Sequence, residues 1–127
     1  MSTTFIRIIN ETSKKIHIVE GEYGRYYAID RKTTLAVSIP APWIGNQNEG
    51  NKAIAISAED EEDILLFLDY YSNNDQIKFN RGDTFDYKNA KNVAGRSSGG
   101  GSKVLLFEEK EDTSSTIPKF KISFRIL

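Results

Sequence analysis

The chain contains no cysteine among its 127 residues. That absence excludes disulfide bridges, thiolate nucleophiles and cysteine-ligated zinc. Small secreted domains more often depend on disulfides, so the composition favours a cytoplasmic or non-classically released protein. The N-terminus lacks a basic stretch followed by an apolar segment, and no segment reaches the length of a membrane span. We therefore expect neither a signal peptide nor a transmembrane segment.

The chain also has a single histidine and a net charge near zero. His17 is the only histidine, and it lies at an alternate position of the apolar segment Ile16–Val19, where we interpret it as a residue on the outer face of a sheet. With no cysteine and no recognised catalytic motif, the sequence predicts a protein that is not an enzyme. Seventeen Lys and Arg nearly balance eighteen Asp and Glu, which argues against nucleic-acid binding by phosphate neutralisation.

Regular alternation of apolar and polar residues is the clearest pattern that is present. Between Lys119 and Leu127 every second residue is apolar, which predicts a strand with one buried and one solvated face. Short segments of this kind, separated by turn residues, recur along the chain. They are 5–9, 16–19, 25–29, 35–39, 53–57, 64–71, 76–79, 84–87, 104–107 and 119–126.

This spacing predicts a single all-β domain over residues 1–127, an antiparallel β-sandwich of about ten short strands, with a small β-barrel as the alternative. The segments 5–9 and 16–19 are expected to form a hairpin. The expected core consists of apolar residues on one face of each strand: Ile6, Ile8, Ile16, Ile18, Ile54, Ile56, Leu66, Leu68, Phe79, Leu106, Phe120, Ile122 and Phe124.

The N-terminal pair of segments, Ile6–Thr12 and Ile16–Val19, resembles the opening hairpin of several small cysteine-poor sandwich proteins, including aegerolysin-type membrane binders. The resemblance covers residues 6–19 alone. It transfers no ligand-binding residue, and we assign no family from it.

Two segments allow more than one interpretation. Residues 58–70 combine a potential helix cap at Ser57–Asp60 with a run that is apolar on every side, so a short helix there is the alternative to a strand. Residues 95–102 are rich in glycine and serine, which predicts a flexible loop. That loop lacks the spacing of a nucleotide-binding P-loop.

Two loops combine aromatic rings with planar amides and predict the binding site. The ligand-binding residues expected there are Trp43, Asn46, Gln47, Asn48, Tyr70, Tyr71, Asn73, Asn74 and Asp75. Sugars present apolar C–H faces fringed by hydroxyl groups, so this chemistry favours a carbohydrate-binding, lectin-like function.

The sequence also allows two other functions. The exposed tyrosines and Trp43 would also suit a lipid headgroup, in a membrane-binding or pore-forming sandwich. A second alternative is a structural protein that self-assembles into a homo-oligomer through strand edges. No cofactor is expected; the alternative is calcium, for which the acidic run Asp60–Asp63 offers oxygen ligands without the spacing of a dedicated calcium loop.

Overall fold

The structure, a computed structural model, describes residues 2–112 and 119–127. These residues form eleven strands and one 3₁₀ helix, Gln47–Lys52. The strands are β1 (Thr3–Asn10), β2 (Ile16–Glu20), β3 (Tyr26–Ile29), β4 (Thr33–Pro40), β5 (Trp43–Ile44), β6 (Ile54–Ser57), β7 (Ile64–Asp69), β8 (Ile77–Arg81), β9 (Lys91–Asn92), β10 (Gly101–Asp112) and β11 (Lys119–Ile126).

The strands lie in two open sheets. One sheet has four strands in the order β11-β10-β1-β4, and the other has seven, in the order β3-β2-β6-β7-β8-β9 with β5 beside β7. The sheets do not close into a barrel, so the all-β sandwich is confirmed and the barrel alternative is wrong. Most pairs are antiparallel as predicted, but β1 with β10 and β5 with β7 are parallel.

The apolar run after Ser57 is a strand, and the helix alternative is wrong. Ile64, Leu66 and Leu68 face the core between the sheets, whereas Phe67 is buried on the opposite face. Phe85 covers that outer face, with its ring 5.1 Å from the ring of Phe67. The run is apolar on every side because both faces of β7 are covered.

The core lies between the two sheets, and most of its predicted members are buried there. The prediction that Ile6 belongs to the core is wrong: Ile6 is 42% exposed, and Phe5 is buried in its place. A bulge between Phe5 and Arg7 shifts the register of β1 and turns Ile6 outward. Phe79 is half-buried, Leu106 is buried on the side of β10 opposite the inter-sheet core, and the side chain of Phe120 lies outside what the structure describes.

The segments 5–9 and 16–19 do not form a hairpin. β1 pairs with β4 and β10, while β2 pairs with β3 and β6 in the other sheet. The turn between them crosses the sandwich and is held by the buried side chain of Asn10. Its amide nitrogen donates to the carbonyls of Lys14, Ile29 and Asp30, and its oxygen accepts from Thr12.

Residues 84–87 are not a strand either. They cross the outer face of the seven-stranded sheet as an irregular segment, and Lys91–Asn92 supplies the edge strand beside β8. The aromatic residues that indicated a strand, Phe85 and Tyr87, pack on Phe67 instead. A strand and a covering segment both need apolar residues at alternate positions, so the pattern alone did not separate them.

The glycine and serine segment 95–102 contacts the edge strand β11 of one sheet and the β7–β8 turn of the other. Arg96 donates its backbone N–H to the carbonyl of Ile126, and Gly99 donates to the carbonyl of Asn74. Gly95 has a positive φ of 88°, and a Cβ there would lie 2.0 Å from the oxygen of Ile126. Only glycine permits this close approach of two backbones. Flexibility of the segment stays a prediction.

Candidate functional site

Two strand ends bring the predicted aromatic residues together. The short strand β5 runs parallel to the end of β7, with Trp43 opposite Leu68. The backbone N–H of Leu68 donates to the carbonyl of Pro42 over 2.8 Å, and that of Tyr70 donates to the carbonyl of Ile44 over 3.0 Å. Pro40 and Pro42 keep the chain extended before β5, so Trp43 and Tyr70 emerge side by side.

Trp43, Tyr70 and Tyr71 form one contiguous surface, which we call the aromatic platform. The rings of Trp43 and Tyr70 meet edge to face at 5.9 Å, and those of Tyr70 and Tyr71 do so at 5.0 Å. Tyr70 is 59% exposed and Tyr71 is 72% exposed, whereas Trp43 is half-buried against the core. The platform therefore presents two protruding rings on a base that is fixed by packing.

Gly45 lets the tyrosines lie close to the backbone. A Cβ at this position would lie 2.9 Å from Cε2 of Tyr71 and 3.2 Å from Cβ of Tyr70. Its N–H donates to the carboxylate of Glu49 over 3.1 Å, which ties the platform to the 3₁₀ helix. The glycine is needed for space beside the rings.

A buried carboxylate lies beneath the platform. Asp69 is 7% exposed and accepts hydrogen bonds from the hydroxyl of Tyr87 at 2.6 Å and the backbone N–H of Tyr71 at 3.1 Å. Its other oxygen lies 3.1 Å from Nζ of Lys78. These groups fix the start of the turn that carries Tyr70 and Tyr71.

The ionisation of this group follows from its surroundings. Burial alone would raise the pKa of Asp69, but the hydrogen bonds from Tyr87 and Lys78 outweigh it and lower that pKa below its ordinary value. Burial, together with the hydrogen bond to Asp69, raises the pKa of Tyr87 to about 12. At neutral pH the pair is therefore an ionised carboxylate and a neutral phenol, an arrangement that holds the turn in place.

The predicted amide residues divide into two groups. Asn46 accepts the backbone N–H of Asn48 and caps the 3₁₀ helix, and Gln47 bridges the backbone of Phe85 and Tyr87 with both ends of its amide. These two side chains are occupied by the fold. Asn48 is exposed on the 3₁₀ helix. The others lie in the turn after Tyr71, where Asn73 and Asn74 are exposed and Asp75 is half-buried with a φ of 48°.

A further tyrosine lies at the same end of the seven-stranded sheet. β2 and β7 are both antiparallel to β6, so the turn after Glu20 and the turn after Asp69 leave the sheet at one end. Tyr23 lies in the first of these turns and is 57% exposed. Arg25 covers its ring at 4.8 Å, and is itself held by the buried carboxylate of Glu20 at 2.6 Å.

The acidic loop Asp60–Asp63 lies at the opposite end of β7. Glu61 accepts the backbone N–H of Ile122 over 2.6 Å and lies 3.8 Å from Nζ of Lys14. Within the described residues, no three His, Asp or Glu side chains are grouped to hold a metal ion. Glu61 is engaged with the edge of β11, and calcium binding at this loop stays a prediction.

Comparison with models of known protein families, with curated proteins and with solved structures found no match for this chain. Across residues 2–112 and 119–127, no helix is long and apolar enough to cross a membrane.

Proposed function

We propose that the protein is a non-enzymatic carbohydrate-binding protein and that the aromatic platform is its site. The observation that carries the proposal is the contact of Trp43, Tyr70 and Tyr71 in one surface, with both tyrosines more than half exposed. Aromatic rings pack against the C–H faces of sugars, and their polar tips remain available for hydrogen bonds.

The surroundings of the platform suit a sugar ligand. Asn73 and Asn74 lie in the turn that follows Tyr71, two and three residues along the chain, and are exposed. Amide groups both donate and accept, which matches the hydroxyl groups at the edge of a sugar ring. The platform is also held by Asp69 and by the β5–β7 ladder, so binding would cost little ordering of the protein.

A glycan array with the wild-type protein and the variant Tyr71→Ala tests the proposal. Tyr71 is 72% exposed, so its truncation should remove binding without unfolding the chain. Tyr26→Ala is the matched control, because Tyr26 is 58% exposed but lies on β3, away from the platform. Absence of binding to every glycan, or equal binding by the Tyr71 variant, would refute the proposal.

A second candidate is binding to a lipid headgroup at a membrane surface. The observation that favours it is the position of Tyr23 at the same end of the sheet as the platform, since tyrosine and tryptophan prefer the membrane interface. Sedimentation with phosphatidylcholine vesicles that carry no glycan separates the two functions. If the protein sediments with these vesicles and Tyr23→Ala weakens this binding, membrane binding is supported. A protein that binds only sugars would remain in the supernatant.

A further inference from the structure

One long strand edge of the protein is open to solvent. β4 and β11 are the edge strands of the four-stranded sheet, with eight residues each, whereas the edge strands β3 and β9 of the other sheet have four and two. Within residues 2–112 and 119–127, β4 pairs with β1 alone. Its other side, which we call the β4 edge, therefore presents backbone N–H and C=O groups that no strand of the same chain uses.

The opposite edge strand, β11, is guarded. The carboxylate of Glu61 accepts the backbone N–H of Ile122 over 2.6 Å, and the N–H of Arg96 donates to the carbonyl of Ile126 over 2.9 Å. The sequence of β11 also has a Lys or Arg at three of its positions. Covering groups and charges of this kind keep strands of different molecules from pairing. β11 is thus not available as an interface.

β4 lacks these guards. Residues 33–39 include no charged residue, and the proline of the strand, Pro40, stands at its end. In the part of the chain that the structure describes, no loop forms a hydrogen bond with the backbone of 33–39. The bulge in this sheet interrupts the alternation of β1, where Ile6 and Arg7 are both exposed, but β4 alternates regularly from 34 to 39. A regular, uncharged edge of this length favours pairing with another strand.

The sequence of β4 is complementary to itself in an antiparallel pair. When two copies of 33–39 pair over their full length, Ala36 lies at the centre and faces the same residue of the second copy. Thr34 then meets Ser38, and both are exposed hydroxyl residues of the outer face. Leu35 meets Val37, and both are half-buried apolar residues of the core face. Matched pairs of this kind stabilise a sheet.

The charges beside β4 also permit this pairing. The turn 30–32, with the sequence Asp-Arg-Lys, precedes the strand, and the uncharged segment 40–42, Pro-Ala-Pro, follows the paired residues. In the antiparallel register the charged turn of one copy lies opposite the uncharged segment of the other. A parallel pair would instead place the two charged turns side by side. The charges therefore favour the antiparallel arrangement, which is also the one that a two-fold axis generates.

We propose that the protein forms a two-fold dimer in which the β4 edges of two copies pair antiparallel and join their four-stranded sheets into one continuous sheet. A single short ladder is a small interface, so the dimer should be reversible. The dimer does not depend on the aromatic platform, which lies on the other sheet. Failure of either proposal leaves the other standing.

Sedimentation velocity of the full chain, from about 1 μM to about 1 mM, tests this proposal. We expect the wild type to pass from monomer to dimer as the concentration rises. Ala36→Lys puts two like charges at the centre of the pair and should weaken the dimer at least about tenfold. Ala36 is exposed, so the change leaves the core intact. Ser123→Lys, on the outer face of β11 in the same sheet, is the matched control and should dimerise like wild type.

Disulfide formation gives a second measurement, because the chain has no cysteine of its own. Directly opposite Cα atoms of an antiparallel pair are about 4.5–5.5 Å apart, which is within the reach of a disulfide. Ala36→Cys should therefore form a covalent dimer on mild oxidation, whereas Ser123→Cys should remain a monomer. Thermal unfolding shows whether each variant is folded, and the cysteine variants decide if Ala36→Lys is not.

A monomer at every concentration would overturn the proposal. Unchanged dimerisation of Ala36→Lys, or equal cross-linking of the two cysteine variants, would also overturn it, since either result assigns the interface to another surface. Tyr71→Ala should dimerise like wild type. Loss of the dimer in that variant would assign the interface to the aromatic platform and not to β4.

Discussion

Replacing Tyr87 with phenylalanine removes one hydroxyl group from beneath the aromatic platform and leaves the ring in place. The ring remains 6.0 Å from that of Phe67, so packing is preserved. What is lost is a hydrogen bond of 2.6 Å to the buried carboxylate of Asp69. Bonds to a charged group contribute about 1.5–3 kcal/mol, and the half-buried position of Tyr87 lowers this through solvent screening. We expect a loss of about 1–2 kcal/mol at pH 7.

The stability that the Tyr87 hydroxyl contributes should also depend on pH. The pKa of Tyr87 is raised from 10.0 to about 12 in the folded protein. The folded state thus favours the protonated phenol, so its stabilisation is complete below pH 10 and is lost as the pH rises from 10 to about 12. The difference in stability between wild type and Tyr87→Phe should therefore be constant from pH 7 to 9 and should narrow by pH 11.

Urea denaturation followed by the fluorescence of Trp43, the only tryptophan, measures both parts. Tyr26→Phe is the control, because Tyr26 is exposed and has no contact with Asp69. If Tyr87→Phe is as stable as wild type at pH 7, or if the difference is the same at pH 8 and pH 11, the account of the Asp69 group is refuted. The same bond holds the Tyr71 turn, so the variant should also weaken glycan binding.

Three further changes test the fold, each by urea denaturation. Asn10→Ala should cost about 3 kcal/mol, because buried hydrogen-bonding groups at the crossover turn lose their partner; retained stability would contradict this. Gly95→Ala should prevent stable folding, whereas Gly99→Ala, with the same φ of 88° but no atom within 4 Å, should cost only about 1 kcal/mol. Burial and Arg96 lower the pKa of Lys103, so Lys103→Met should be more stable than wild type at pH 7 even though it removes the hydrogen bond from Nζ to the carbonyl of Ser98. The gain should shrink as the pH rises towards 10.5.

The strands could be predicted because their alternation is a local property. A residue such as Ile122 or Phe124 points inward by the geometry of its own strand, whichever strand lies beside it. The pairing could not be predicted in the same way. The parallel pair of β1 and β10 joins residues about a hundred positions apart, and nothing in either segment identifies the other. The exposure of Ile6 has the same origin, since a bulge depends on the neighbouring strands.

The aromatic half of the candidate site could also be predicted, but its amide half could not. Trp43 begins a strand and Tyr70 follows the end of another, each beside a polar turn, so their position at a strand end follows from local sequence. Whether an amide is available depends on what lies opposite it. Gln47 is occupied by the backbone of Phe85 and Tyr87, thirty-eight and forty residues away, while Asn73 has an exposed side chain in a turn of the same composition.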